Sequence, residues 1–153
     1  MNGTTPMLRE LTIRYAVKSD HTGQPVILGQ ALTTPQRAAA LLQRVLGEEA
    51  TEVFGLVLLS TRRDVVAYHE VSRGGLNTVA VEPRAVFTAA LLANAAAMIV
   101  AHVHPSGNPS PSPDDVALTR RLVAAGTLLG VDVLDHIIVG HGRYASFKAL
   151  GLF

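Results

Sequence analysis

The chain has 153 residues, 48% of them hydrophobic, enough to bury a core within one domain and to exclude disorder as the default. Thirteen Lys and Arg against twelve Asp and Glu leave a formal charge of +1, so no broad positive field exists to hold nucleic acid. There is no cysteine, which excludes disulfides and thiolate metal sites; a metal would have to be taken by His, Asp or Glu.

In chain order, the opening "MNGTTPMLRELTIRY" lacks the basic start and apolar stretch of a signal peptide, so the expected compartment is the cytoplasm. Residues 8–17 alternate, with Leu11, Ile13, Tyr15 and Val17 on one face, and predict a half-buried strand. "TTPQRAAALLQRVLG" begins with Thr and Pro in cap and first-turn positions and stops at Gly47, predicting a helix over about 35–46. "EVFGLVLLSTRRDVVAYHEV" reads as a hairpin turning at Ser60 to Asp64. A short strand is expected near Thr78 to Val81, then a helix from Pro83 to about Asn94 and a buried strand over "AAMIVAHVH". The apolar run from Val86 to Ala101 is shorter than the roughly 20 residues of a membrane span. From Pro113 to Leu129 apolar residues at 116, 118, 122, 123, 125, 128 and 129 predict an amphipathic helix closed by Gly130. Strands over "VDVLDHIIV" and "RYASFKAL" end the chain. Interleaved strands and helices, without repeats or a linker, predict a single α/β domain.

Chemistry concentrates in "AHVHPSGNPSPSPDD", residues 101–115. On a strand, residues i and i+2 point to one side about 6.6–6.8 Å apart, so His102 and His104 can aim both rings at one point past the strand end. That suits zinc, which in catalytic sites takes three protein ligands and keeps one position for water. Ser112 before Pro113 starts a helix and puts Asp114 and Asp115 in its first turn. Asp115 there has two readings, a metal ligand or the acidic half of a capping box with Ser112. The two are taken as mutually exclusive, leaving Asp114 for the helix dipole if Asp115 binds metal.

The stretch "HVHPSGNPSPSPDD" resembles the JAMM motif of MPN-domain zinc metalloproteases, H-x-H-P-x(6)-S-x-x-D. The continuation to "TRRLVAAGTLLGVDVLDHIIVG" is similar to the RadC-like branch of that family, over roughly Glu52 to Gly140. The resemblance implies a mixed β-sheet flanked by helices, layered as in cytidine deaminases. Residues 1–50 would add a strand and a helix to the same domain, with the JAMM/MPN domain over 51–153. It implies one zinc per chain on His102, His104 and Asp115, with the Ser112 hydroxyl helping to hold the transition-state oxyanion. A Glu on an upstream strand would be the acid/base; Glu52, at the head of "EVFGLVLL", is the choice over Glu48, Glu49, Glu70 and Glu82. The implied reaction is hydrolysis of a peptide or isopeptide bond, in the wider family often at a ubiquitin-like C-terminus. Asp135 and His136 interrupt an apolar strand and match the family's D-H pair; burial assigns them a hydrogen-bonded structural role. His21, His69 and His141 are read as ordinary turn or strand residues, and Gly107 and Asn108 as turn formers.

Three rival readings share parts of this pattern. A zinc nucleoside deaminase needs H-x-E and P-C-x-x-C, which this cysteine-free chain lacks. A non-catalytic MPN-type module usually lacks the metal ligands, whereas every motif position is filled. A DNA-associated accessory role follows the repair label of the RadC-like branch, but near-neutral charge and the missing N-terminal helix-hairpin-helix-like region weigh against nucleic-acid binding.

Overall fold

A computed structural model describes residues 7–28, 31–47, 49–74 and 81–153. Three helices, α1 (Pro35–Leu46), α2 (Pro83–Leu92) and α3 (Pro113–Leu129), surround five strands: β1 (Val53–Leu59), β2 (Val65–Arg73), β3 (Ala97–Val103), β4 (Asp132–Gly140) and β5 (Arg143–Ser146). The sheet order is β2-β1-β3-β4-β5. Only the β3–β4 pair is parallel, joined by the α3 crossover; the other neighbours are antiparallel. The expected α/β domain with a mixed sheet is the architecture found.

β1 and β3 are buried along their whole length, because helices cover both faces of the sheet. On one face α1 packs Ala38, Ala39, Leu42 and Leu46 against Val57, Ile99 and Ile137. On the other, Val86, Phe87 and Ala90 of α2 and Leu122 of α3 meet Phe54, Leu56, Met98 and Val100. The core thus has three layers. Burial of one Leu or Phe in it contributes roughly 1.5–3 kcal/mol.

Helix starts follow the local chemistry. Thr34 caps α1 through its side chain, and each helix has Pro in its first turn. α3 ends at Gly130, whose φ of 73° is the left-handed conformation that suits glycine.

Three expectations for the chain's elements need correction or stand aside. Residues 8–17 form no strand, and Leu11, Ile13, Tyr15 and Val17 are 47–78% exposed. The physical reason is a missing ladder: β2, the adjacent sheet edge, pairs only with β1, and alternation alone does not satisfy backbone N–H and C=O groups. β5 stops at Ser146 rather than continuing to Leu150, because the Lys148 and Ala149 amides turn back to Asp135 and Ser146. The short strand proposed near Thr78 falls mainly on residues 75–80, outside the described residues, and Val81 carries no strand.

α3 also buries a different stripe from the one its apolar residues suggest. Asp115, Thr119, Leu122 and Gly126 face inward, whereas Leu128 is 85% exposed. The N-terminal half of its inner face is polar because it abuts the histidines.

Candidate metal centre

β1 runs antiparallel to β3 with Phe54 opposite His102. Two residues before Phe54 and two after His102 therefore fall at the same end of the sheet, which brings Glu52 and His104 together. Glu52 Oε1 lies 2.6 Å from His102 Nε2. Glu52, His102 and His104 each offer a donor atom, all within 4.8 Å of one another, forming a candidate metal site.

The loop 104–112 then turns the chain toward α3. Gly107, with φ of 81°, takes a left-handed turn against the His141 ring, where a Cβ would lie 2.4 Å from Nδ1. Arg143 ties this turn to β5, donating to the Gly107 carbonyl at 2.7 Å. Asn108 Oδ1 accepts from Ser110 N, as expected of a turn former. Its carbonyl does more, accepting from His104 Nδ1 at 2.9 Å. A carbonyl only accepts, so Nδ1 carries a proton and Nε2 is left to face the site.

Asp115 arrives from the first turn of α3, held by both halves of a capping box. Its N–H donates to Ser112 Oγ at 3.1 Å and its Oδ2 accepts from Ser112 N at 2.8 Å. The same carboxylate faces both imidazoles, Oδ1 3.3 Å from His102 Nδ1 and Oδ2 3.4 Å from His104 Nε2. Capping and facing the histidines are therefore not exclusive, correcting the expectation from sequence. A carboxylate has two oxygens with about four lone-pair sites, more than one cap uses. Ser112 Oγ spends a lone pair on the cap and keeps its O–H to donate.

The other acidic candidates are engaged elsewhere. Arg73 pairs with Glu49 at 2.6 Å and Glu70 at 2.7 Å, and Glu82 meets Arg121 at 3.5 Å. Glu48 lies outside the described residues.

A cation fits the donor set. His102 Nδ1 is buried and has no hydrogen-bond partner. Its 3.3 Å to Asp115, like the 3.4 Å from His104, exceeds the roughly 2.7–2.9 Å of a charge-assisted hydrogen bond. Each is close to the separation of about 3.3–3.6 Å between two donors held at roughly 2.0–2.2 Å on a tetrahedral ion, the His102 contact being to Asp115 Oδ1 and the His104 contact to Oδ2. Imidazole and carboxylate without thiolate is a zinc-compatible donor set. Burial pushes the Asp115 carboxyl up, but the facing His102 and His104 imidazoles and the Ser112 amide together hold it well below its ordinary range. The Asp115 contact in turn raises the His104 pKa.

Behind the site lies a polar cluster that the sequence assigned to structure. A register shift opposite Met98 and Ile99 skips Leu134, so that His136 pairs with Val100 and faces the site side of the sheet. Thr119 Oγ1 donates to the Asp115 carbonyl at 2.6 Å, so at 2.7 Å it accepts from His136 Nδ1. The proton on Nδ1 leaves His136 Nε2 bare, buried and unpartnered. The strut from β4 to α3 was not legible in the sequence: Thr119 opens the "TRRL" segment of the resemblance, but that segment does not say that its hydroxyl bridges His136 and the Asp115 carbonyl.

Burial, and then the charge of nearby His102, lowers the His136 pKa to about 3. Between about pH 3 and its unfolded value near 6.5 the unfolded chain binds the extra proton, so stability complete above 6.5 is lost as pH falls. In chemical denaturation of the metal-free chain, His136 alone is predicted to contribute a loss of at most about 1.4 kcal/mol per pH unit in that window. His136→Gln should flatten the slope; an unchanged slope would assign it to other groups.

The three-layer fold and a His-His-Glu cluster at the end of a central strand define an α/β domain with a candidate metal site. Residues 32–152 match the family described as the RadC-like JAB domain, and the chain belongs to it. The match takes in α1, which the motif resemblance did not reach. The chain is 45% identical over 120 residues to a UPF0758 protein of Desulforudis audaxviator, covering 78% of this chain and 52% of that one. It is 44% identical over 120 residues to a UPF0758 protein of Methanosarcina acetivorans, with the same coverage of 78% and 52%. The chain thus spans about half the length of the curated relatives it matches. No helix among the described residues is long and apolar enough to cross a membrane.

Proposed function

We propose that the chain is a zinc-dependent hydrolase of peptide or isopeptide bonds, with His102, His104 and Asp115 as ligands. The observation that carries this reading is the buried, unpartnered Nδ1 of His102 facing Asp115 beside His104. A zinc ion held there would supply an activated water and polarise a carbonyl oxygen. Glu52 is the general base, taking a proton from the attacking water and returning it to the leaving amine. The Ser112 hydroxyl donates to the carbonyl oxygen as negative charge develops on it. Asn108 fixes the His104 ring so that its Nε2 lone pair is turned to the site, where it would hold the ion.

A second assignment has its own observation, since Glu52, His102 and His104 form the cluster whose donors all lie within 4.8 Å. Glu52 would then be a ligand. The capping box favours the first assignment, because it fixes the Asp115 carboxylate 3.3 Å from His102 and 3.4 Å from His104, whereas the close contact of Glu52, 2.6 Å, is to His102.

The activity test exposes the zinc-reconstituted chain to mixed capped peptides and ε-linked lysyl peptides, with new amine termini read by mass spectrometry. Cleavage that chelation stops and added zinc restores is expected. Intact substrates over a zinc-loaded chain would count against hydrolysis.

A further inference from the structure

Beside the candidate centre a cleft of about 280 Å³ is bounded by Glu52, His102 and Asp115. Phe54, Val81, Ala117 and Leu118 give it an apolar wall among the described residues. The volume is at or below the low end of ligand sites, roughly 300–1,000 Å³, and suits a side chain better than a cofactor. Arg121 also borders it but meets Glu82 at 3.5 Å, so the cleft offers no unpaired cation to an acidic group.

The side of the scissile bond follows from which functional groups border the cleft. Glu52 does, whereas Ser112 and His104 do not. The group that protonates the leaving amine must lie next to that amine, and the hydroxyl that meets the carbonyl oxygen lies away from the cleft. We propose that this cleft is the subsite for the residue that supplies the leaving amine, and that it selects a leucine-class apolar side chain over glycine. The side of the bond rests on the hydrolytic reading above; the apolar selectivity rests on the cleft alone.

The test has two arms. In the zinc-free chain, leucinamide, which mimics the amine product, should shift the methyl resonances of Val81 and Leu118, and glycinamide should not. In the zinc-loaded chain, peptides with Leu after the scissile bond should show kcat/KM roughly tenfold or more above those with Gly. Ala117→Phe, at an exposed helix position that borders the cleft, should erase both preferences, bringing kcat/KM for the Leu peptide down to that for the Gly peptide. Selective leucinamide shifts without hydrolysis of any peptide would uphold the cleft and sink the hydrolytic reading. Absent or equal shifts, or a preference for an ε-linked lysine, would overturn the proposal.

Discussion

Glu52→Gln is expected to lower hydrolysis by about 10²–10⁴-fold, the usual contribution of a positioned acid/base, while zinc stays bound. Glu52 Oε1 lies 2.6 Å from His102 Nε2. A glutamine has the same length, and its amide oxygen can accept from the same nitrogen, so the ring need not move. What disappears is a group able to take a proton. kcat measured on a cleaved peptide, with metal content determined on the same samples, checks this. Parent-like turnover would show that another group is the base. Loss of zinc together with activity would favour Glu52 as a ligand.

Asp135→Ala is expected to be the most destabilising change near the site, costing about 3 kcal/mol or more. One buried carboxylate accepts from the His136 amide at 2.8 Å, the Ser146 hydroxyl at 2.6 Å and the Lys148 amide at 3.0 Å. Each buried donor left without a partner costs roughly 1–3 kcal/mol. The substitution also frees the turn that ends β5 and the strand segment carrying His136, whose ring stacks on Phe147 with centroids 4.2 Å apart. Urea unfolding of the metal-free chain measures the loss directly. A change below about 1 kcal/mol would mean that these donors find other partners.

Most elements were legible because their ends carry strong local chemistry. Pro35, Pro83 and Pro113 mark the three helix starts, and the polar run from Ser60 to Asp64 marks the hairpin turn. Residues 8–17 misled because period-2 alternation reports a face, not the presence of a neighbouring strand. In the site, the spacing of His102, His104, Ser112 and Asp115 was readable, and the antiparallel register then brings Glu52 to them. Three features were not readable. Asp115 both caps α3 and faces the rings, Asn108 acts through a carbonyl that every residue possesses, and His136 reaches Thr119 only because β4 skips a residue.

Native mass spectrometry of the zinc-reconstituted chain and two variants addresses the centre most directly. The predicted result is about one zinc per chain in the parent, retained by Glu52→Gln and lost by Asp115→Ala. A parent that takes up no zinc, or zinc kept by Asp115→Ala and lost by Glu52→Gln, would contradict the proposed centre.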